Sequence, residues 1–397
     1  MTPLDNTRRR FSLTLRRSGV LLAVAAALSL AACSSSSSSS SGTGTASSSS
    51  GSASASGLSA ADQAGLAKAA AIVAGTVQQP TTITDTVKVT KPIPPGMTID
   101  FIPCGSPECT LEGGIVKQAA AAVGWKTVVL SNDGSPQGDK AAFSQAVRNK
   151  AAAVLYTAIP ASTFASELPA LKANGTFLSA CCVTDPVGPT TGIGYLIDGP
   201  AQVGPVGGTQ AAWVAADSKD KANSVFVNIP AFAILASQAT YYKAGMASYC
   251  PTCKTDEIDI ALANLSSAPA TIVSYLRAHP SVNYVVASTD AITLGLPAAL
   301  KAAELTNVKI VGQGATPTNI QYLHSGQQAA DVAFPYYEVM YAMVNAAIQD
   351  KAGMPVAASV APPKWLLIPA NAPTTTSQVF PVVSTYQSQY QALWGGA

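Results

Sequence analysis

Histidine is nearly missing from this chain: His279 and His324 are the only two in 397 residues. Each sits at the end of a helical stretch, His279 before Pro280 and His324 before Ser325-Gly326, and neither has a second ligand pair at zinc-site spacing nearby. No metal site is expected. A Gly-x-Ser-x-Gly elbow and a Gly-Lys-Ser/Thr phosphate loop are missing too, so no motif supplies an activated nucleophile or a cradle for a nucleotide. The expectation is a protein that is not an enzyme and carries no cofactor. Charge is scarce as well, at 11% of residues. Residues 1–32 hold five arginines and Asp5; without them the 23 basic and 21 acidic residues become 18 and 20, a net charge of −2. That leaves no cationic surplus for phosphate backbones and argues against nucleic-acid binding. Although 48% of residues are hydrophobic, no apolar run of about 18 or more comes after the N-terminal region.

What is present at the N-terminus explains why residues 1–32 are set apart. Arg8, Arg9, Arg10, Arg16 and Arg17 make a positive region, and Val20–Ala32 is an uncharged stretch of 13 residues, too short to persist as a spanning helix. Leu30-Ala31-Ala32-Cys33 closes it and resembles the bacterial lipobox, in which the cysteine is lipidated and everything before it is removed. The resemblance implies a signal peptide over 1–32 and a protein held on the outer face of the cytoplasmic membrane through Cys33; two or more acyl chains suffice for stable anchoring. Thr7-Arg8-Arg9-Arg10-Phe11 also resembles a twin-arginine signal, and the choice of export route stays open. Ser34–Gly57 contains only Ser, Gly, Ala and Thr, a flexible tether with an end-to-end distance of roughly 25–30 Å. Leu58–Val77 is alanine-rich and helix-permissive with Ser59 as N-cap, and Pro92, Pro94, Pro95 and Gly96 punctuate the start of the globular region. Residues 58–96 thus form a lead-in that either packs on the body or extends the stalk.

Besides Cys33, six cysteines remain in three close pairs: Cys104 with Cys109, Cys181 with Cys182, Cys250 with Cys253. Outside the cytoplasm such pairs oxidise, and local pairing is expected although the sequence alone allows other connectivities. Cys250-Pro-Thr-Cys253 comes after a helical stretch, which favours a structural role over a thioredoxin-like redox site.

From Met97 on, strand and helix patterns alternate. Strands are expected at Thr98–Ile102, Thr127–Leu130, Ala152–Tyr156 and Thr176–Ser179, with helices at Glu112–Val123, Asp139–Asn149 and Ser162–Ala173 between them. The second half repeats the scheme, with strands at Ser224–Asn228, Ile258–Ile260, Tyr284–Ala287, Val308–Gly312 and Asp331–Ala333. Its helices are expected at Ala201–Ala216, Ile234–Tyr249, Ala268–Ala278, Ala291–Ala303, Thr318–His324 and Tyr336–Gln349. The fold class is α/β: two similar Rossmann-like lobes with parallel sheets, facing each other across a cleft at the carboxyl ends of their strands. Closure of such a cleft around a small ligand is the expected motion.

Several local patterns carry a more specific resemblance: Ile102-Pro-Cys-Gly-Ser-Pro-Glu108, Ala170-Leu-Lys-Ala-Asn-Gly175 before Thr176-Phe-Leu-Ser179, Leu276-Arg-Ala-His-Pro-Ser281, Ala287-Ser-Thr-Asp-Ala-Ile-Thr-Leu-Gly295 and Ile310-Val-Gly-Gln-Gly314. In their order and spacing, residues 97 to about 367 resemble the type I periplasmic solute-binding proteins of ABC importers, the ribose-binding type. The resemblance implies a three-strand hinge near Leu196–Gly199, Ala333–Tyr336 and Pro362–Leu366. The lobes would be 97–197 plus 335–362 (N-lobe) and 198–334 plus 363–397 (C-lobe). It also implies a monomer that captures a small molecule and delivers it to a membrane permease and ATPase; a sensory protein docking on a membrane receptor is the alternative.

At the positions where that family holds its sugar, the resemblance carries candidate ligand-binding residues and several departures. An Asp-Arg pair after the fourth strand is replaced by Cys181-Cys182, an arginine by Tyr242, an asparagine ahead of Asp290 by Thr289. An aspartate is replaced by Gly314 beside Gln313, a glutamine by Phe334, and an asparagine after the third strand by Ile159. Buried sugar hydroxyls left without partners cost about 1–3 kcal/mol each, whereas apolar contact returns roughly 25 cal/mol per Å². With Phe232, Tyr242 and Phe334 as ring contacts, the expected ligand has an apolar or aromatic face. Ser106 and Glu108, or else Gln210, Asn228 and Gln238, are the residues that could restore polar contacts.

Overall fold

A computed structural model describes residues 58–357, 361–374 and 377–395. Cys33, the signal region and the tether lie outside the described residues. The chain enters on helix α1 (Ala60–Thr76), whose first turn is closed by Ser59 and Asp62 capping each other's backbone. Strand β1 (Thr98–Ile102), helix α2 (Pro107–Ala121), β2 (Lys126–Val129), α3 (Pro136–Asn149), β3 (Ala153–Thr157), α4 (Leu168–Ala173), β4 (Phe177–Cys181) and β5 (Ile193–Ile197) build the first lobe. Its sheet runs β2-β1-β3-β4-β5, every neighbour parallel. The second lobe takes α5 (Pro200–Ser218), β6 (Asn223–Asn228), α6 (Leu235–Tyr249), β7 (Lys254–Asp259), α7 (Ala268–Ala278), β8 (Tyr284–Ala287), α8 (Leu296–Ala302), β9 (Lys309–Gly314), α9 (Pro317–His324) and β10 (Ala330–Ala333). Helix α10 (Tyr336–Lys351) then returns to the first lobe, β11 (Trp365–Leu367) to the second, and α11 (Tyr386–Leu393) ends the chain. The second sheet is β11-β10-β9-β8-β6-β7, parallel except for β11 against β10.

Strands β1, β3 and β4, mostly apolar, are buried almost end to end, as a sheet covered on both faces requires. Helix α10 is buried on nearly every side because it lies between the first sheet and α11, where Tyr341, Tyr386, Tyr390 and Trp394 pack their rings together.

Helices α5 and α6 of the second lobe pack close because glycines face the contact. A Cβ on Gly207 would overlap the Gln238 carbonyl and come within 2.9 Å of the Tyr242 nitrogen. Those neighbours are backbone atoms and cannot rotate away. Gly207→Ala is therefore expected to cost about 2 kcal/mol, the overpacking strain outweighing the helix-propensity gain. A urea unfolding midpoint equal to or above that of the unsubstituted protein would contradict this packing.

Of the two alternatives for the lead-in the structure takes one, and the C-terminal residues depart from the sequence expectation. The lead-in packs on the body: α1 lies on α5 and α6, with Leu66, Ala69 and Ile72 in the second lobe's core. Residues 83–97 then cross to the first lobe, where Ile83 is buried and Val89, Ile93 and Met97 pack against the core. The C-terminal residues, expected in the C-lobe, instead give Val379, Val383, Tyr386, Tyr390, Leu393 and Trp394 to the first lobe's core. Lead-in and C-terminus hold each other there: Val89 N–H donates to Leu393 O (2.8 Å), Gln389 pairs with Ile83 and Thr81, and the Tyr390 hydroxyl donates to Asp85 (2.6 Å). Two further chain crossings thus join the three expected between the lobes. The reason is local: the side of α10 turned away from the first sheet is apolar, with Tyr341 on it, and needs cover that residues 97–367 do not supply.

Candidate functional site

The cleft lies between the carboxyl ends of both sheets, at their switch points. Its first wall begins in the loop after β1. Cys104 and Cys109 are joined across that loop, Gly105 takes a positive φ of 82°, and Pro107 at the first helical position starts α2 directly behind it. This stapled turn aims Ser106, Glu108 and, one helical turn on, Glu112 at the cleft. Ala158 after β3, Cys182 after β4 and Asp198 after β5 complete that side. All three hold left-handed φ values of 53°, 63° and 54°, unusual for residues with a Cβ and typical of backbone held in place at a working site. Cys182 is bonded to its neighbour Cys181. The opposite wall comes from α5 (Val203, Val206), the loop after β6 (Phe232, Ile234), Leu235 and Gln238 of α6, Thr289, and Gln313-Gly314 at the end of β9. Ala333 to Tyr336 and Pro362 to Lys364, two crossings between the lobes, form the floor. The space amounts to about 860 Å³, part of it open to solvent.

The lobes touch through Glu108. Its Oε1 accepts from the Thr289 hydroxyl and from the Ala291 N–H, both at 2.6 Å and both in the second lobe. Oε2 accepts from Ser106 at 2.9 Å. The residue keeps some exposed surface, but both lobes enclose the carboxyl, and burial raises its pKa against the three donors that lower it. Glu112 is buried, accepts from the Thr157 hydroxyl at 3.0 Å, and is pushed up to about 8, mainly by burial and further by Glu108. Asp198 rises to about 7 by burial, which Lys364 partly offsets. Beneath the second wall, Asp290 and Asp331 lie against each other around the bare Cα of Gly312. Burial and the charge of Asp331 hold Asp290 far above the ordinary carboxylate range, so the pair keeps a proton between them. Asp331 also accepts from the Gln328 side-chain amide (2.7 Å), and backbone N–H groups, Thr316 to Asp290 (2.9 Å) and Ala315 to Asp331 (3.2 Å), fix the loop after β9.

Of the residues singled out in the sequence, Ser106, Glu108, Cys182, Phe232, Thr289, Gln313, Gly314 and Phe334 line this space. Ile159, Cys181 and Tyr242 do not. Ile159 packs beside Phe143 and Phe164 in the first lobe, Cys181 points into the core as the inward half of the vicinal pair, and Tyr242 lies under α5 against Phe226. Each is 1% exposed or less. An ungapped comparison counts along the chain, but on a strand or helix one position decides whether a side chain faces cleft or core. Gln210 is likewise buried beneath the wall, holding Ala287 O and Gly312 O, and Asn228 reaches Asp259. Glu112, Asp198 and Lys364 had no sequence signal strong enough to find them. Glu112 stands four residues after Glu108, a relation that becomes visible only once α2 is seen to begin at Pro107.

Two groups of side chains come within metal-ligand reach of each other, Cys181–Cys182–Asp198 and Asp220–Cys250–Cys253. In each the two sulfurs are bonded together, which takes up the thiolates a metal would need.

Two α/β lobes with parallel sheets, strands ending at a shared cleft and chain crossings in its floor define the type I binding-protein architecture. Residues 111–353, more than half of the chain, match the periplasmic binding protein domain, and the chain belongs to that family. Comparison with curated protein sequences gives no match. Among solved structures, the chain resembles an ABC sugar transporter subunit from Rhodobacter sphaeroides (17% identity, TM-score 0.60, 69% of this chain and 98% of that one). It also resembles a Mycobacterium smegmatis protein in complex with β-D-fucofuranose (19%, 0.61, 76% and 98%). A third is a glucose-galactose binding protein from Geobacillus stearothermophilus (16%, 0.62, 70% and 100%). At these identities the likeness is one of fold. Helices α1 and α11 lie outside the matched family residues.

Proposed function

We propose that this protein captures a small molecule with an apolar or aromatic ring in the interlobe cleft and hands it to the permease and ATPase of an ABC importer. In this reading it works as a monomer outside the cytoplasm, tethered through lipidated Cys33. The observation that carries the reading is the composition of the cleft. Val203, Val206, Phe232, Ile234, Leu235, Phe334, Tyr336, Pro362 and Pro363 make its apolar surface, and among the described residues no arginine lines it. Phe334 and Tyr336 meet edge to face at 4.8 Å, a ready support for a ring. The similar structures include sugar complexes, which supports a small organic ligand but sets the contrast: a bare aldose in this cleft would leave hydroxyls facing hydrocarbon. The binding-protein family and the absence of a nucleophile–base motif in the sequence both support capture rather than catalysis.

A thermal-shift panel of pentoses, hexoses, inositols, nucleosides, aromatic acids and terpenoid acids tests this. A ligand at about 100 times its dissociation constant adds about 2.7 kcal/mol of stability, a clear rise in Tm. Ring compounds are expected to stabilise the protein; stabilisation by simple aldoses alone would contradict the apolar reading.

A further inference from the structure

The polar groups left over in the cleft are acceptors. Gln238 is 1% exposed and lines the cavity. Its amide orientation is fixed by a chain of bonds: Gln210 Nε2 donates to Ala287 O and to Gly312 O, both at 3.0 Å, so Gln210 Oε1 can only accept. Gln238 Nε2 serves that oxygen at 2.9 Å, and Gln238 Oε1 is left with no donor among the described residues. A buried carbonyl without a partner is costly, and this one belongs to a side chain in the wall of a cavity that a ligand can enter. On the facing wall the carboxyls of Glu108, Glu112 and Asp198 line the same space, with Asp290 and Asp331 behind Thr289 and Gly314. Among the described residues one cation, Lys364, stands against them in the lining.

From this juxtaposition we infer that the cargo carries a protonated amine on its apolar frame, which donates to Gln238 Oε1 and is balanced by Glu112, whose carboxyl gives up its proton to solvent as the ammonium arrives. The inference rests on the reading of the cleft as a capture site and names its ligand class. An ammonium has N–H groups for both partners, and the aromatic rings of Phe334 and Tyr336 in the same lining favour a cation in this cleft. An anionic cargo meets the opposite arrangement, with a single lysine in the lining to receive it.

The test is calorimetric titration of the full chain with three compounds of one shape: 2-phenylethylamine, 2-phenylethanol and 3-phenylpropionate. The amine is expected to bind at least about tenfold tighter than the alcohol, with the carboxylate weakest. Glu112→Gln, which keeps the shape and removes the ionisable group, is expected to abolish the amine's advantage over the alcohol. The inference is overturned if the alcohol or the carboxylate equals the amine, if the amine gives no heat at about 10 mM, or if Glu112→Gln leaves the preference intact. An alcohol that outbinds the amine overturns this inference and leaves the apolar capture reading standing. A neutral aldose that outbinds all three removes the apolar capture reading as well.

Discussion

Glu108→Ala is expected to open the cleft. In the structure this one side chain takes two donors from the opposite lobe, the Thr289 hydroxyl and the Ala291 N–H. Hydrogen bonds to a charged group contribute about 1.5–3 kcal/mol each, so removing both shifts the balance between closed and open lobes by about 3 kcal/mol, or about two decades in population. In the variant, water can serve Thr289 and Ala291 only if the lobes part, which adds to the drive. Labels at the exposed edges of the two sheets, Lys126 on β2 and Lys254 on β7, report the change as an inter-lobe distance by pulsed electron resonance. The variant is expected to show a longer and broader distance distribution than the unsubstituted protein. An unchanged distribution would mean that the five chain crossings, not Glu108, hold the lobes together.

Stability is expected to fall as the solution becomes alkaline. Burial raises Asp198, Asp331 and Glu338 to about 7 and Glu112 to about 8. In the unfolded chain these groups titrate near the ordinary carboxylate values of about 4. An acid whose pKa is raised by folding favours the folded state while it is protonated; that contribution is complete below about 4 and is lost as pH rises through 7 to 8. Each unit of separation corresponds to about 1.4 kcal/mol, and after partial relaxation the group loss is on the order of 5 kcal/mol. For a body of this size that lowers Tm by about 10 °C between about pH 5 and pH 8.5. Differential scanning calorimetry across that range provides the check. A Tm that is flat or rises would show that the carboxyls ionise without penalty and that the cleft is wetter than its packing indicates.

The fold is legible in the sequence because its signals are local. Strands such as Thr98–Ile102 and Ala153–Thr157 are short apolar runs closed by turn residues, and each helix between them shows its start or stop. Strand β5, which the sequence pattern does not reveal, reads Ile-Gly-Tyr-Leu-Ile; its glycine weakens the strand signal, although Gly194 is needed where the Phe177 ring lies over it. Helix α11 is hidden for another reason. Tyr-Gln-Ser-Gln-Tyr-Gln-Ala-Leu has weak helix propensity and is held by Tyr386 and Tyr390 packing on α10, a contact no local pattern encodes. At the cleft the same limit applies. Ser106 and Glu108 come directly after a strand and can be placed from the topology. The difference between Cys182, which reaches the ligand space, and Cys181, which does not, is set by strand facing. Tyr242 is misplaced by sequence comparison because α6 turns that side chain under α5, where Gly207 and Gly245 let the helices close.

The cleft's apolar floor as the ligand's seat is tested most directly by one pair of titrations: the tightest-binding compound of the thermal-shift panel against the unsubstituted protein and against Phe334→Ala. Phe334 is half-buried, packs on Tyr336 and forms part of that floor. Removing its ring should forfeit about 2–3 kcal/mol of apolar contact and raise Kd by about thirtyfold or more, with the fold intact. An unchanged Kd would mean that the ligand sits elsewhere and that the interlobe cleft is not where this protein does its work.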